Sequence, residues 1–177
     1  MVVLLLAVST VHTAVAAPQS GADAVFGSGA IVDPGVPGCM ESPGLCSVAI
    51  AGTLQAPEIG EGEFFVRFAI LWSSAIANGI LGRECAPASG TLTFDAADGS
   101  TIRLSQSGMV CEIPVGSERS PMRFNGSFVV VDGTAAMKGL QGDGEVNLTV
   151  DDEGNATIQM QGTFRQFSGP PMHTEGH

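Results

Sequence analysis

Residues 84–112 read ECAPASGTLTFDAADGSTIRLSQSGMVCE, and this stretch decides the fold. Leu92 and Phe94 alternate with Thr91, Thr93 and Asp95; Ile102 and Leu104 alternate with Thr101, Arg103 and Ser105. A period of two marks β-strands with one apolar face. Between the arms, Ala97-Asp98-Gly99 supplies a three-residue loop with Gly where a left-handed residue is needed. Folding back at Asp98 sets Leu92 against Leu104 and Phe94 against Ile102, so the apolar sets share a face. The same register sets Cys85 against Cys111, within bridging distance. Periodicity, turn chemistry and cysteine placement therefore agree on one stapled hairpin.

Working outward, the same pattern recurs. Val25–Val32 and Ser47–Gln55 read as strands. Glu63–Ser74 places Phe64, Val66, Phe68, Ile70 and Trp72 on one face and Arg67 on the other. Arg123–Val131 puts Phe124, Phe128 and Val130 together. A second hairpin runs Val146, Leu148 and Val150 up to Asp152-Glu153-Gly154, then returns through Ala156, Ile158, Met160 and Phe164. Folding at Glu153 pairs Leu148 with Ile158 and Val146 with Met160. Residues 33–46, 57–62, 75–83, 112–122 and 132–143 read as connections rich in Gly, Pro or acidic residues. About eight strands with short connections and no helical period predict an all-β domain, an antiparallel meander closed into a barrel, with a β-sandwich as the alternative. Closure removes exposed sheet edges.

The chain opens MVVLLLAVSTVHTAVAAPQS. An uncharged apolar run leads into Ala14-Val15-Ala16, the small-x-small pattern of a signal-peptide cleavage site, although the usual preceding Lys or Arg is absent. The run is shorter than the ~20 apolar residues of a spanning helix, and Ser, Thr and His interrupt it, so no stable membrane anchor is expected. The expected organisation is a signal peptide over 1–16, a flexible N-terminus over 17–24, a barrel domain over 25–167 and a disordered tail over 168–177. Localisation is then secreted, in an oxidising environment that favours disulfides. Four cysteines allow three pairings. The local one, Cys39–Cys46 with Cys85–Cys111, is preferred; zinc is disfavoured because the spacings fit no common ligand pattern. The net charge of −11 and the single lysine, Lys138, argue against nucleic acid and anionic membranes as partners.

The C-terminal half, FNGSFVVVDGTAAMKGLQGDGEV followed by DDEGN and TIQMQGTF, resembles small exported bacterial proteins with an allene oxide cyclase-like barrel. The family pattern is of the form GTGxFxGAxGxG before a final hairpin. Here Gly133-Thr134, Gly139, Gly142 and Gly144 occupy the glycine frame; Ala135 replaces a glycine and Met137 stands where an aromatic usually sits. The resemblance spans roughly residues 90–164 and implies an eight-stranded barrel of lipocalin-like shape. No position matches the functional residues of the plant cyclases or dirigent proteins of that class, so none is carried over. Activity is not inherited from a fold.

Chemistry is sparse in the sequence. The three histidines, His12, His173 and His177, lie in the leader or the tail, away from any nucleophile in the folded body. Asp and Glu collect in hairpin turns, where backbone reasons explain them. No catalytic residue, metal site or cofactor is assigned. Three functions compete. The first is a non-catalytic exported barrel binding a small apolar molecule in a cavity of a few hundred Å³, lined by Phe64, Phe68, Trp72, Phe94, Phe124, Phe128 and Phe164. The second is a cofactor-free isomerase or cyclase acting on a lipid-like substrate. It requires one of Glu63, Arg67, Arg103 or Glu112 to face that cavity. The third is a protein-binding module presenting the Cys39–Cys46 loop.

Overall fold

The structure, a computed structural model, describes residues 23–34, 45–57, 60–72, 76–78, 83–112 and 121–166. Nine strands follow one another: β1 (Asp23–Asp33), β2 (Leu45–Ala56), β3 (Gly60–Leu71), β4 (Ile76–Asn78), β5 (Arg83–Ala96), β6 (Thr101–Glu112), β7 (Met122–Gly133), β8 (Leu140–Val150) and β9 (Asn155–Gln166). All neighbours pair antiparallel, in the order β3-β2-β1-β9-β8-β7-β6-β5-β4. An additional ladder joins β3 to β5, from Gly62↔Ala96 to Ile70↔Ala88, and closes eight strands into a barrel. The sandwich alternative is thereby excluded. The short β4 hangs on the β5 edge beyond the closure.

Alternation explains the barrel's inside and outside. On β3, Phe64, Val66, Phe68 and Ile70 are buried while Glu63, Phe65, Arg67 and Leu71 are exposed. Every strand of the barrel contributes such an inward row to one continuous apolar core. Burial of each large side chain contributes roughly 1.5–3 kcal/mol.

Both hairpins adopt the register read from the sequence. Leu92 faces Leu104, Phe94 faces Ile102 and Cys85 faces Cys111. Leu148 faces Ile158 and Val146 faces Met160. Each loop closes with a backbone pair, Ala96 N–H to Ser100 O (2.8 Å) and Asp151 N–H to Asn155 O (2.9 Å), and each has a left-handed glycine in third place, Gly99 (φ 82°) and Gly154 (φ 90°). The Cys85–Cys111 disulfide spans Cα atoms 4.0 Å apart. Pro87 sits inside β5 without breaking a ladder. On that side β3 pairs only as far as Ala88, and β4 takes up at Cys85, so the missing N–H falls in the gap.

The meander gives the barrel two unlike ends. At end A the connections 34–44, 72–82 and 113–121 are long, and only the β8–β9 hairpin is tight. At end B the connections 57–59, 97–100 and 134–139 are short. The last of these carries one turn of 3₁₀ helix, Ala135–Met137, whose Met137 is buried and plugs end B. Hydrogen bonds to the neighbouring strands fix this plug. Thr134 N–H donates to Thr101 O (2.8 Å), Ala136 N–H to Ser100 Oγ (3.2 Å) and Gln166 Nε2 to Ala136 O (2.9 Å).

Some boundaries differ from the sequence reading. β8 begins at Leu140 rather than Val146, because Gly142 and Gly144 remain paired in the ladder with Phe164 and Gly162. Ile76–Asn78 forms a strand where a plain connection is expected, and Trp72 lies just past the end of β3. Glycines are also common inside strands rather than confined to turns. A Cβ at Gly126, for instance, would collide with the carbonyl oxygen of Ser107 on the neighbouring strand, so the sharp coiling of this narrow barrel requires the missing side chain.

Candidate site: the lumen beneath end A

The lumen is apolar almost throughout. Among the described residues the only buried polar side chains are Ser100 and Gln106, and neither is ionisable. Ser100 is spoken for, since its hydroxyl anchors the end-B plug. Gln106 stands on the inward row of β6 with Ile102, Leu104 and Val110. Neither its Oε1 nor its Nε2 has a hydrogen-bond partner among the described residues.

The seven aromatic residues expected to line a cavity are all buried or half-buried, and they distribute along the lumen. Phe64 faces Phe94 across the closing β3–β5 ladder. Phe128 stacks on Phe164, with ring centroids 5.6 Å apart and planes 19° apart. Phe68 meets Phe124 at 4.7 Å and 45°. Trp72 is buried at the end-A rim, and its Nε1 has no acceptor among the described residues. Phe68 and Phe124 border a void of about 20 Å³ in the end-A half, lined also by Val48, Ile50, Val110 and Met122. That volume suits a single water, but an all-apolar lining keeps such a void dry. Of the seven aromatic residues, Phe68 and Phe124 are the two that border this void. The aromatic rings fill the space left by inward glycines: a Cβ at Gly90 would lie 2.8 Å from Phe68 Cδ1, and one at Gly162 2.9 Å from Phe128 Cζ.

Of the four charged residues from which an isomerase would need at least one in the lumen, Glu63, Arg67 and Arg103 lie on outward rows and are exposed. Arg67 reaches Asp33 (3.4 Å) and Ser47 (3.4 Å) and lies over the Phe65 ring, all on the outer surface. Glu112 differs. It is half-buried at the end-A rim, on the inward row of β6, opposite Met122. Two carboxylates outside the lumen are held below the ordinary range. Asp98 is lowered chiefly by the Ser100 backbone N–H (2.8 Å), and Asp151 chiefly by the Asn155 side-chain amide (3.0 Å). Both serve the hairpin turns. Among the described residues no group of three or more His, Cys, Asp or Glu is placed to hold a metal.

No protein-family model and no curated protein sequence matches this chain.

A second concavity lies outside the barrel at end B, about 620 Å³ and open, beside Phe26, Gln55, Pro57 and Glu61. It contains exposed side chains and no buried polar group, so the lumen is the better candidate. Cys46 is buried and disulfide-bonded. Cys39, the cleavage-site residues Ala14 and Ala16, and the tail lie outside the described residues. Among the described residues no helix is long and apolar enough to cross a membrane.

Gln106 is missing from the sequence-level candidates, although its signal is legible. It shares the even-numbered parity of Ile102 and Leu104, which the hairpin register turns inward. A polar residue in an apolar row marks a group that must find a partner.

Proposed function

We propose that this protein is an exported, non-catalytic barrel whose lumen, entered from end A, holds a small apolar molecule. The observation that carries the reading is the uncharged lumen: its fully buried polar groups among the described residues are one serine and one glutamine, which supply neither a general base nor a nucleophile–base pair. The apolar void under end A supports entry from that side. A guest larger than a water displaces the Phe68 and Phe124 rings. The cleavage pattern at Ala14-Val15-Ala16 and the stapled hairpin support export, with Cys39–Cys46 as the second bridge. The resemblance of residues 90–164 to exported allene oxide cyclase-like barrels supports the same reading.

Native mass spectrometry of protein taken from its own host's medium tests this. The expected species begins after Ala16, carries two disulfides and retains a neutral small molecule. A species that keeps residues 1–16, or that carries free thiols and no guest, overturns the proposal. A second reading, a cofactor-free isomerase, rests on Glu112 at the rim. Turnover of a lipid epoxide that disappears in Glu112→Gln would favour it.

A further inference from the structure

Gln106 is the feature that folding alone does not explain. Its side chain is 1% exposed and both polar atoms are unpaired. Buried polar groups are nearly always hydrogen-bonded, and an unpaired amide is destabilising where a leucine of similar size is not. Its surroundings are equally specific. Gly90 faces it on β5, and Gly108, the next inward residue on β6, faces Gly126 on β7. Gln106 thus faces Gly90 on β5 and Phe128 on β7, with the Gly108–Gly126 pair one inward step further toward end A.

Two rings cover this glycine floor. Phe68 lies over Gly90, and Phe124 lies over Gly126, with Cζ 2.6 Å from where a Cβ would stand. The two rings touch each other, and both border the apolar void on the end-A side. They thus line both the void and the glycine floor. Beyond the void, at the rim, Trp72 Nε1 is a second buried donor without an acceptor among the described residues.

We propose that Phe68 and Phe124 swing aside to join the void to the glycine floor, and that Gln106 there pairs with a neutral amide or protonated carboxylic acid on a small apolar ligand. This deepens, and rests on, the lumen-binding reading above. A glutamine amide offers an acceptor and a donor side by side, so its complement is a group that carries both. A charged head group is disfavoured, because the lumen contains no fully buried ionic partner among the described residues.

Benzamide and toluene, titrated by calorimetry into the mature protein, test the inference. The wild type should bind benzamide about tenfold or more tightly than toluene. Gln106→Leu should lose that preference while binding toluene at least as well; Gln106→Met repeats the test if the leucine variant does not fold. An unchanged benzamide preference in the variant overturns the role of Gln106. Equal binding of both probes by the wild type also overturns it, while leaving the lumen reading intact. Binding of neither probe removes both.

Discussion

Removing the central staple tests the hairpin quantitatively. The double variant Cys85→Ala/Cys111→Ala opens a loop with a sequence separation of 26. The chain-entropy relation assigns such a loop about 3.5 kcal/mol at 25 °C, stabilisation that acts by restricting the unfolded chain. Both cysteines are only half-buried, so truncation to alanine adds little cavity cost. For a domain of this size the loss corresponds to a fall in Tm of roughly 7–14 °C. Urea unfolding followed by Trp72 fluorescence and far-ultraviolet circular dichroism is the assay, with the bridge at Cys46 left intact. The midpoint should fall and the m-value should rise slightly, because the unstapled chain exposes more surface when unfolded. The folded hairpin should survive, since its loop and apolar pairs set the register independently of sulfur. A loss below about 1 kcal/mol, far under the entropic value, would refute the claim that the bridge restrains a long loop of the unfolded chain.

Other perturbations separate the remaining parts of the account. Gly126→Ala should destabilise by roughly 1–3 kcal/mol in the same assay, because its Cβ meets Ser107 O and the Phe124 ring; a neutral result would mean that the strand is free to uncoil there. Ala135→Gly should stabilise by roughly 0.5–1 kcal/mol, since Ala135 holds φ 49° in the end-B plug. Asp98 and Asp151 have depressed pKa values, so the turn stability they contribute is present above the ordinary value of 3.8 and is lost as pH falls through their lowered values. The Ser100 and Asn155 amide proton shifts should accordingly titrate with midpoints below 3.8, and midpoints at or above it would contradict the turn hydrogen bonds.

What the sequence disclosed was local. A two-fold period and a three-residue turn determine a hairpin register, so Leu92–Leu104 and Leu148–Ile158 are readable without a structure. Closure is not, because pairing of β3 with β5 skips across β4, and nothing local to Val66 names Leu92 as its partner. Three residues are too few for β4 to show a period. The role of the glycines was hidden for another reason. Glycine usually signals a turn, whereas Gly90 and Gly126 here make room for aromatic rings inside the barrel. Burial of the aromatic set was readable from parity, but the volume left between those residues depends on how Phe68 and Phe124 pack across the lumen. Gln106 is readable by parity too, yet its lack of a partner belongs to the assembled barrel and not to β6 alone.

The most direct test is the ladder that closes the barrel. In a nuclear Overhauser spectrum of the oxidised protein, backbone cross-peaks should link Phe65 with Thr93 and Arg67 with Thr91, and the amides bonded across that ladder should exchange slowly. Absence of those cross-peaks, with rapid exchange along the facing edges of β3 and β5, would describe an open sheet. The enclosed lumen would then not exist.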